Sequence, residues 1–320
     1  MRGRLAVLAV LALSGLAGGA HAQKDRAPLM LEVACGDLNR AACARVVPGL
    51  AAAARSRGLG LRAMEAANPL NAMAAICHTR PTAAVALVPR DAVGALTYCA
   101  AELAGGPLWP AHAFLVVRAG TQFRQLGDLA REAASGRKRV IVVDDMGEIM
   151  LDRLLRTNPV WRRAIAVIRD SADSGLARVA SGAADAFFTV DTPDGDWAQR
   201  VRRMTTPDGK PRHGFLDIHP SVAFFQESDG RGHCLYRRTR LDVGEAEPIT
   251  TVATDIVMVL GAKSRETRAL GGPRVADVLA AALETARVRI LTDMRVPREW
   301  RPAGVACRAP QPSGTETTAR

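Results

Sequence analysis

The stretch LARVASGAADAFFTVDTPDG, Leu176–Gly195, reads as the end of a helix, a tight turn, a short apolar run and an acidic turn. AAICHTRPTAAVALVPRDAV, Ala74–Val93, carries the same parts in the same order. Tracing each stretch backwards gives two copies of one plan. The first copy opens with LMLEVACG (Leu29–Gly36), a strand ending on glycine. A helical pattern follows, with Asp37 or Asn39 as N-cap, Gly58 as stop and Pro48 inside, where proline is expected to kink or divide it. LGLRAMEA (Leu59–Ala66) is a second strand. NPLNAMAAICH is a short helix capped by Asn68 with Pro69 at its first position, and AAVALVP is a third strand. The second copy runs KRVIVVDD, GEIMLDRLLRT, AIAVIRD, SADSGLARVASG with Ser171 or Asp173 as cap, and ADAFFTVD. Each copy is β-α-β-α-β, the order of a parallel sheet covered by helices.

Two longer apolar strands stand outside the copies. AHAFLVVRAG (Ala111–Gly120) precedes the second, and DIVMVLGAKS (Asp255–Ser264) follows it. They read as the strands that carry the chain out to a second lobe and back. RVADVLAAALETA then gives a C-terminal helix, and the Pro/Ser/Thr-rich end, residues 309–320, reads as disordered.

The N-terminus has the three parts of an export signal: Arg2 and Arg4, the apolar run LAVLAVLALSGLAGG, and AHA ending at Ala22. Residues 1–22 are expected to be removed and the rest to reach the periplasm. The 320 residues carry 43 Lys+Arg against 32 Asp+Glu, net charge +11. Only four of the bases are lysines, and the arginines are scattered. Nucleic-acid binding needs a basic stripe interleaved with stacking aromatics, and aromatics are 4% of this chain. Six cysteines in an exported chain point to disulfides, and neighbours in sequence suggest Cys35–Cys43, Cys77–Cys99 and Cys234–Cys307. No Walker loop, dinucleotide fingerprint, G-x-S-x-G or H-E-x-x-H motif occurs, and the histidines have no zinc spacing. The chain is therefore read as having no cofactor, no metal and no catalytic activity.

The run VVRAGTQFRQLGDLAREAASGRKRVIVVDDMG, Val116–Gly147, resembles the type II periplasmic solute-binding proteins. These show a hinge strand, a short helix, a strand and then a small-residue anion-binding turn. LARVASGAADAFFTV is similar to another segment of that family. Within it, the TAXI-type receptors of TRAP transporters look most alike. The resemblance implies an α/β fold of two lobes, each a mostly parallel sheet flanked by helices, joined by two hinge strands. Lobe 1 would comprise residues 23–113, lobe 2 residues 114–225, and the return to lobe 1 residues 226–308. It implies a monomeric receptor that captures a small molecule between the lobes for a membrane permease. The alternative is an accessory protein on the same fold that binds a protein partner.

Ligands in open parallel sheets bind beyond the carboxyl ends of the strands, at helix N-termini. That rule singles out Gly36, Asp37, Asn39, Arg40, Asn68, Asn71 and Arg90, with Pro89–Asp91, in the first copy. In the second it singles out Asp144, Asp145, Gly147, Glu148, Ser171, Ser174, Thr189 and Asp191. Arg40 and Arg90 have the fork that holds a carboxylate. Asn68 and Ser171 also suit simple capping. The sequence departs from the TAXI pattern in two places: a glycine-rich turn with tyrosine is missing after the first strand, and Asp144, Asp145 and Glu148 crowd the second turn. Carboxylates at a helix N-terminus oppose an anion, which counts against the dicarboxylate or amino-acid ligand usual in that family and favours an amine, a metal-associated species or a neutral solute.

Overall fold

The computed structural model describes residues 28–293, except 37–39, 97–98, 133–137, 193–195, 230–231, 244–246, 263, 265–266 and 269–271. The expected export signal, the C-terminal tail and Cys307 lie outside the described residues, as do Asp37, Asn39 and the side chain of Arg40.

The first copy forms β1 (Leu29–Cys35), α1 (Arg40–Arg55), β2 (Leu59–Glu65), α2 (Pro69–Cys77) and β3 (Val85–Pro89), followed by a 3-10 turn, Arg90–Ala92. β1 lies between β2 and β3 and is parallel to both. A short β4 (Glu102–Leu103) leads to β5 (Trp109–Arg118). The second copy forms α3 (Leu126–Glu132), β6 (Arg139–Val143), α4 (Glu148–Arg156), α5 (Pro159–Ala164), β7 (Ile165–Arg169), α6 (Ala172–Ser181) and β8 (Ala186–Asp191). β6 lies between β7 and β8, again parallel to both. The two copies share one strand order, central strand first, as the opening stretch suggested. The remainder is α7 (Asp196–Arg203), β9 (His213–Leu216), α8 (Val222–Phe225), β10 (Arg237–Leu241), β11 (Ile249–Leu260) and α9 (Val275–Asp293).

The strands join in one sheet of order β2-β1-β3-β11-β5-β8-β6-β7. β5 and β11 make it continuous. β11 pairs with β3 through Ile256–Leu260 and with β5 through Ala253–Ile256. β5 in turn pairs with β8 through His112–Val116. Both strands are buried along nearly their whole length because sheet lies on either side of them. Among the described residues they are the only strands that link the two parallel halves in the strand order, which is the geometry of a hinge.

Helix α1 runs unbroken through Pro48, against expectation. Pro48 and Ala44, whose carbonyl loses its partner, both face solvent. The opposite face buries Val46, Val47, Leu50 and Ala54, and α1 packs on α9. The carbonyl left without its bond lies on the solvent face, and packing holds the helix. Two of the three expected disulfides are present, Cys35–Cys43 and Cys77–Cys99, with Cα atoms 6.2 Å and 5.2 Å apart. The third pairing involves Cys307, outside the described residues. No helix of the described residues is long and apolar enough to cross a membrane.

Candidate functional site

The carboxyl ends of the strands in the two halves face one another. Gly36, just past β1, packs against the start of α2, where an added Cβ would lie 2.8 Å from the nitrogen of Pro69. Asn68 caps α2, its side chain accepting from the backbone N–H of Asn71 at 2.8 Å. Its amide also donates to Oδ2 of Asp145 in the other half, at 3.1 Å. Asn68 is thus a cap that also ties the two halves together, and the side chain of Asn71 is exposed. The two roles separate by substitution. Asn68→Ser keeps the cap but cannot reach Asp145, whereas Asn68→Ala loses both. Urea unfolding is expected to show a loss of about 1 kcal/mol for Ala and a much smaller one for Ser.

In the second half, Asp144 at the end of β6 is fully engaged. Its carboxylate accepts from the hydroxyl of Thr189 on β8 at 2.6 Å and from the N–H of Gly147 at 2.9 Å. Burial raises its pKa to about 6, and these hydrogen bonds only partly offset the rise. Glu148 pairs with Arg169. The three carboxylates that looked hostile to an anion are thus held by protein partners. Gly147 sits tightly against β8: a Cβ there would lie 2.7 Å from the Phe188 ring and 2.9 Å from Thr189 Cα. Gly147→Ala must push α4 off β8 and stretch the Asp144–Thr189 bond. We expect a loss of about 1–3 kcal/mol in chemical denaturation.

Ser171 and Ser174 do not join this region. Ser171 caps α6 by accepting from the Ser174 N–H, and Asp170 collects the Ser174 hydroxyl and Arg178. Asp191 accepts from the N–H of Thr192 and stands beside His112 of β5 in register.

Arg90 is where the sequence reading fell short. It is buried at the end of β3, and its Nη1 donates to Oδ2 of Asp229 at 3.0 Å. Next to it Asp91 is also buried and accepts from the hydroxyl of Tyr236 at 2.9 Å. Burial raises the pKa of Asp91, against the pull of Tyr236 and of Arg153. Burial likewise pushes Tyr236 well above its ordinary value, so the phenol stays a donor. Its ring stacks on Phe224 with centroids 4.2 Å apart. Arg153, on α4 of the second half, pairs with Glu227 at 2.6 Å. These groups surround a cavity of about 400 Å³, lined by Arg90, Asp91, Cys99, Arg153, Asp229 and Leu235 among others. A larger cavity of about 580 Å³, lined by Cys35, Gly36, Cys43 and residues Ala63–Ala67, belongs to the first half alone.

Sequence reasoning missed Arg153, Glu227, Asp229 and Tyr236. The only signal was two acidic residues close to Cys234 in FFQESDGRGHCLY, a segment that matched neither copy. Ile149 of α4 packs against the first half's core around Met73, Ile76 and Val88. The halves are thus in direct contact through both charge and apolar surface. Among the described residues no cluster of histidine, cysteine or carboxylate side chains is placed to hold a metal.

No family model matches the sequence, and no curated protein matches it. Solved structures do resemble the fold. A probable amino-acid ABC transporter extracellular-binding protein from Bacillus subtilis aligns with TM-score 0.51 at 10% identity, over 86% of this chain and 98% of its own. An amino acid ABC transporter substrate-binding protein from Streptococcus pneumoniae, bound to L-arginine, aligns with TM-score 0.51 at 12% identity, over 86% and 97%. The GluR0 ligand-binding core in complex with L-glutamate aligns with TM-score 0.50 at 11% identity, over 86% and 99%. The chain has the two-lobed type II periplasmic-binding-protein fold, its halves joined by β5 and β11.

Proposed function

We propose that this protein is an exported, non-catalytic receptor that holds a small polar solute between its lobes and delivers it to a membrane permease. One observation carries the reading. The cavity of about 400 Å³ takes walls from both lobes, Arg90 and Asp91 from one and Arg153 from the other. Its size suits a small metabolite. Because β5 and β11 are the links, closing the lobes would complete the cavity and opening them would empty it. Periplasmic location and lobe boundaries at residues 23–113, 114–225 and 226–308 belong to the same proposal. So does service to a TRAP-type permease, the class that the TAXI-like segments suggest. The neighbours with amino acid ligands make an amino acid the first solute to test.

Isothermal titration of the chain from residue 23 with L-arginine and L-glutamate, each repeated on Arg153→Met, tests this. The expected result is saturable binding of one of them that the substitution abolishes. Binding that Arg153→Met leaves unchanged would move the site elsewhere.

A second reading, an accessory protein that binds a partner, is favoured by one feature. The charged groups facing the cleft already have partners within the chain: Arg90 with Asp229, Arg153 with Glu227, and Asn68 with Asp145.

A further inference from the structure

Strand β7 ends the sheet in the second half, and its outer side pairs with no strand among the described residues. Its backbone is set out for a neighbour. The Asp170 N–H, just past the strand, donates to the Val143 carbonyl of β6 at 3.1 Å. Alternation along a strand then turns the N–H and C=O groups of Val167 and Arg169 away from β6, toward the free edge. The side chains there are unguarded. Val167 is 44% exposed, Ile168 on the opposite face is 38% exposed, and Val160 of α5, just before the strand, is 58% exposed. These are three of the six large apolar side chains that stand exposed among the described residues. The sheet's other outer edge, β2, differs. Its exposed positions are Arg62, Ala63 and Glu65, and Arg62 pairs with Glu32. Charges of that kind defend an edge against strand addition. Bases bracket β7 instead: Lys138, Arg162 and Arg163 stand exposed at one end and Arg169 at the other. The acids nearby are engaged, Glu148 with Arg169 and Asp170 with Ser174 and Arg178.

We propose that β7 is a docking edge for a partner protein, which adds to it, as a further strand, an extended segment of alternating apolar and acidic residues. The added strand takes up the outward N–H and C=O groups, which supplies affinity, and its apolar side chains cover Val167 and Ile168, which fixes register. Its carboxylates meet the bases at the two ends of the edge. A second copy of this chain fits worse. Antiparallel pairing of two β7 strands about Val167 brings Arg169 of one toward Arg163 of the other, like charge against like. The proposal goes beyond the receptor reading and does not depend on it, since no residue of α5 or β7 lines either cavity.

The test titrates the chain from residue 23 into a fluorescein-labelled octapeptide of alternating glutamate and valine, followed by fluorescence anisotropy. Saturable binding is expected. Val167→Pro removes an N–H that points away from β6, where an edge strand tolerates proline. It is expected to weaken binding about tenfold, the worth of a hydrogen bond. Val167→Thr keeps the N–H and is expected to bind close to wild type. Arg162→Glu/Arg163→Glu is expected to weaken binding as well, by a factor that shrinks as salt is added. Circular dichroism melting establishes that each protein is folded. Should Val167→Pro not fold, Arg162→Glu/Arg163→Glu decides alone: weaker binding upholds the proposal and equal binding overturns it. Failure of the peptide to bind wild type overturns it, as does equal binding by folded Val167→Pro. Equal binding of a lysine–valine peptide does the same, because the charges then choose nothing. A wild-type dimer in sedimentation velocity that Val167→Pro dissociates would give the edge to a second copy and also overturn the proposal.

Discussion

Asp229→Ala lowers the unfolding free energy by about 3–5 kcal/mol, the cost of leaving a buried charge without its counterion. The acid and Arg90 are nearly inaccessible to water and 3.0 Å apart. Asp229 also ties its own hairpin, accepting from the His233 N–H at 3.2 Å. Removing the carboxylate leaves Arg90 in a pocket whose other acid, Asp91, is held by Tyr236. The double substitution Arg90→Leu/Asp229→Ala is expected to cost less than Asp229→Ala alone, because it leaves no guanidinium to desolvate. Urea unfolding of the three proteins measures this directly. A double variant less stable than Asp229→Ala would mean that Arg90 has a stronger partner than Asp229.

His112 sets the second large effect. It is buried on β5, in register with Asp191 of β8 and Ala253 of β11, at the hinge. Burial lowers its pKa to about 3, and the nearby Arg237, which pairs with Asp255 at 2.5 Å, pushes the same way. The unfolded chain binds the proton near pH 6.5. The unfolded state therefore holds more protons between those values, and stability rises with pH across the window. The contribution of the neutral ring is whole above about pH 6.5 and is lost as pH falls toward 3, on the order of 5 kcal/mol in all. Asp144 acts in the opposite sense. Its folded pKa of about 6 lies above the ordinary carboxylate value, so acid relieves the cost of burying it between about pH 6 and 4. His112→Gln is thus expected to flatten the acid loss of stability, and Asp144→Asn to steepen it. Denaturant unfolding at intervals from pH 7.5 to 4 shows the difference. Profiles parallel to wild type would refute both assignments.

The two parallel halves were legible because their cues are local. Asn68 before Pro69, Ser171 before α6, and the β-branched run of β6 each announce an element through its own chemistry. Repetition of the same order then implied the shared topology. The hinge strands were legible as unusually long apolar runs, although β11 begins at Ile249, six residues before the stretch that drew attention to it. Its early part, ITTVAT, carries threonines that look like a polar edge in sequence. In the fold Thr251 is buried because its hydroxyl donates to the Ala113 carbonyl of β5 at 2.6 Å. The part of the candidate site legible in the sequence was placement just past the strand ends, as for Asn68, Asp144 and Arg90. Its long-range partners were not legible. Asp229 lies 139 residues from Arg90, and Tyr236 lies 145 from Asp91. Nothing local marks a carboxylate as the counterion of an arginine in another segment. Short elements such as α5, α7 and β9 also escaped, since they owe their form to packing on neighbours more than to periodicity.

A thermal-shift screen of the chain from residue 23 tests the receptor reading most directly. The panel comprises amino acids, dicarboxylates, polyamines, phosphonates and divalent ions. A solute that binds only the folded, closed form stabilises it by about 2.7 kcal/mol at a hundredfold excess over its Kd. The expected result is a saturable rise in Tm for one chemical class, abolished by Arg153→Met. A well-folded protein whose Tm no member of the panel raises would contradict the receptor reading and leave the partner-binding one standing.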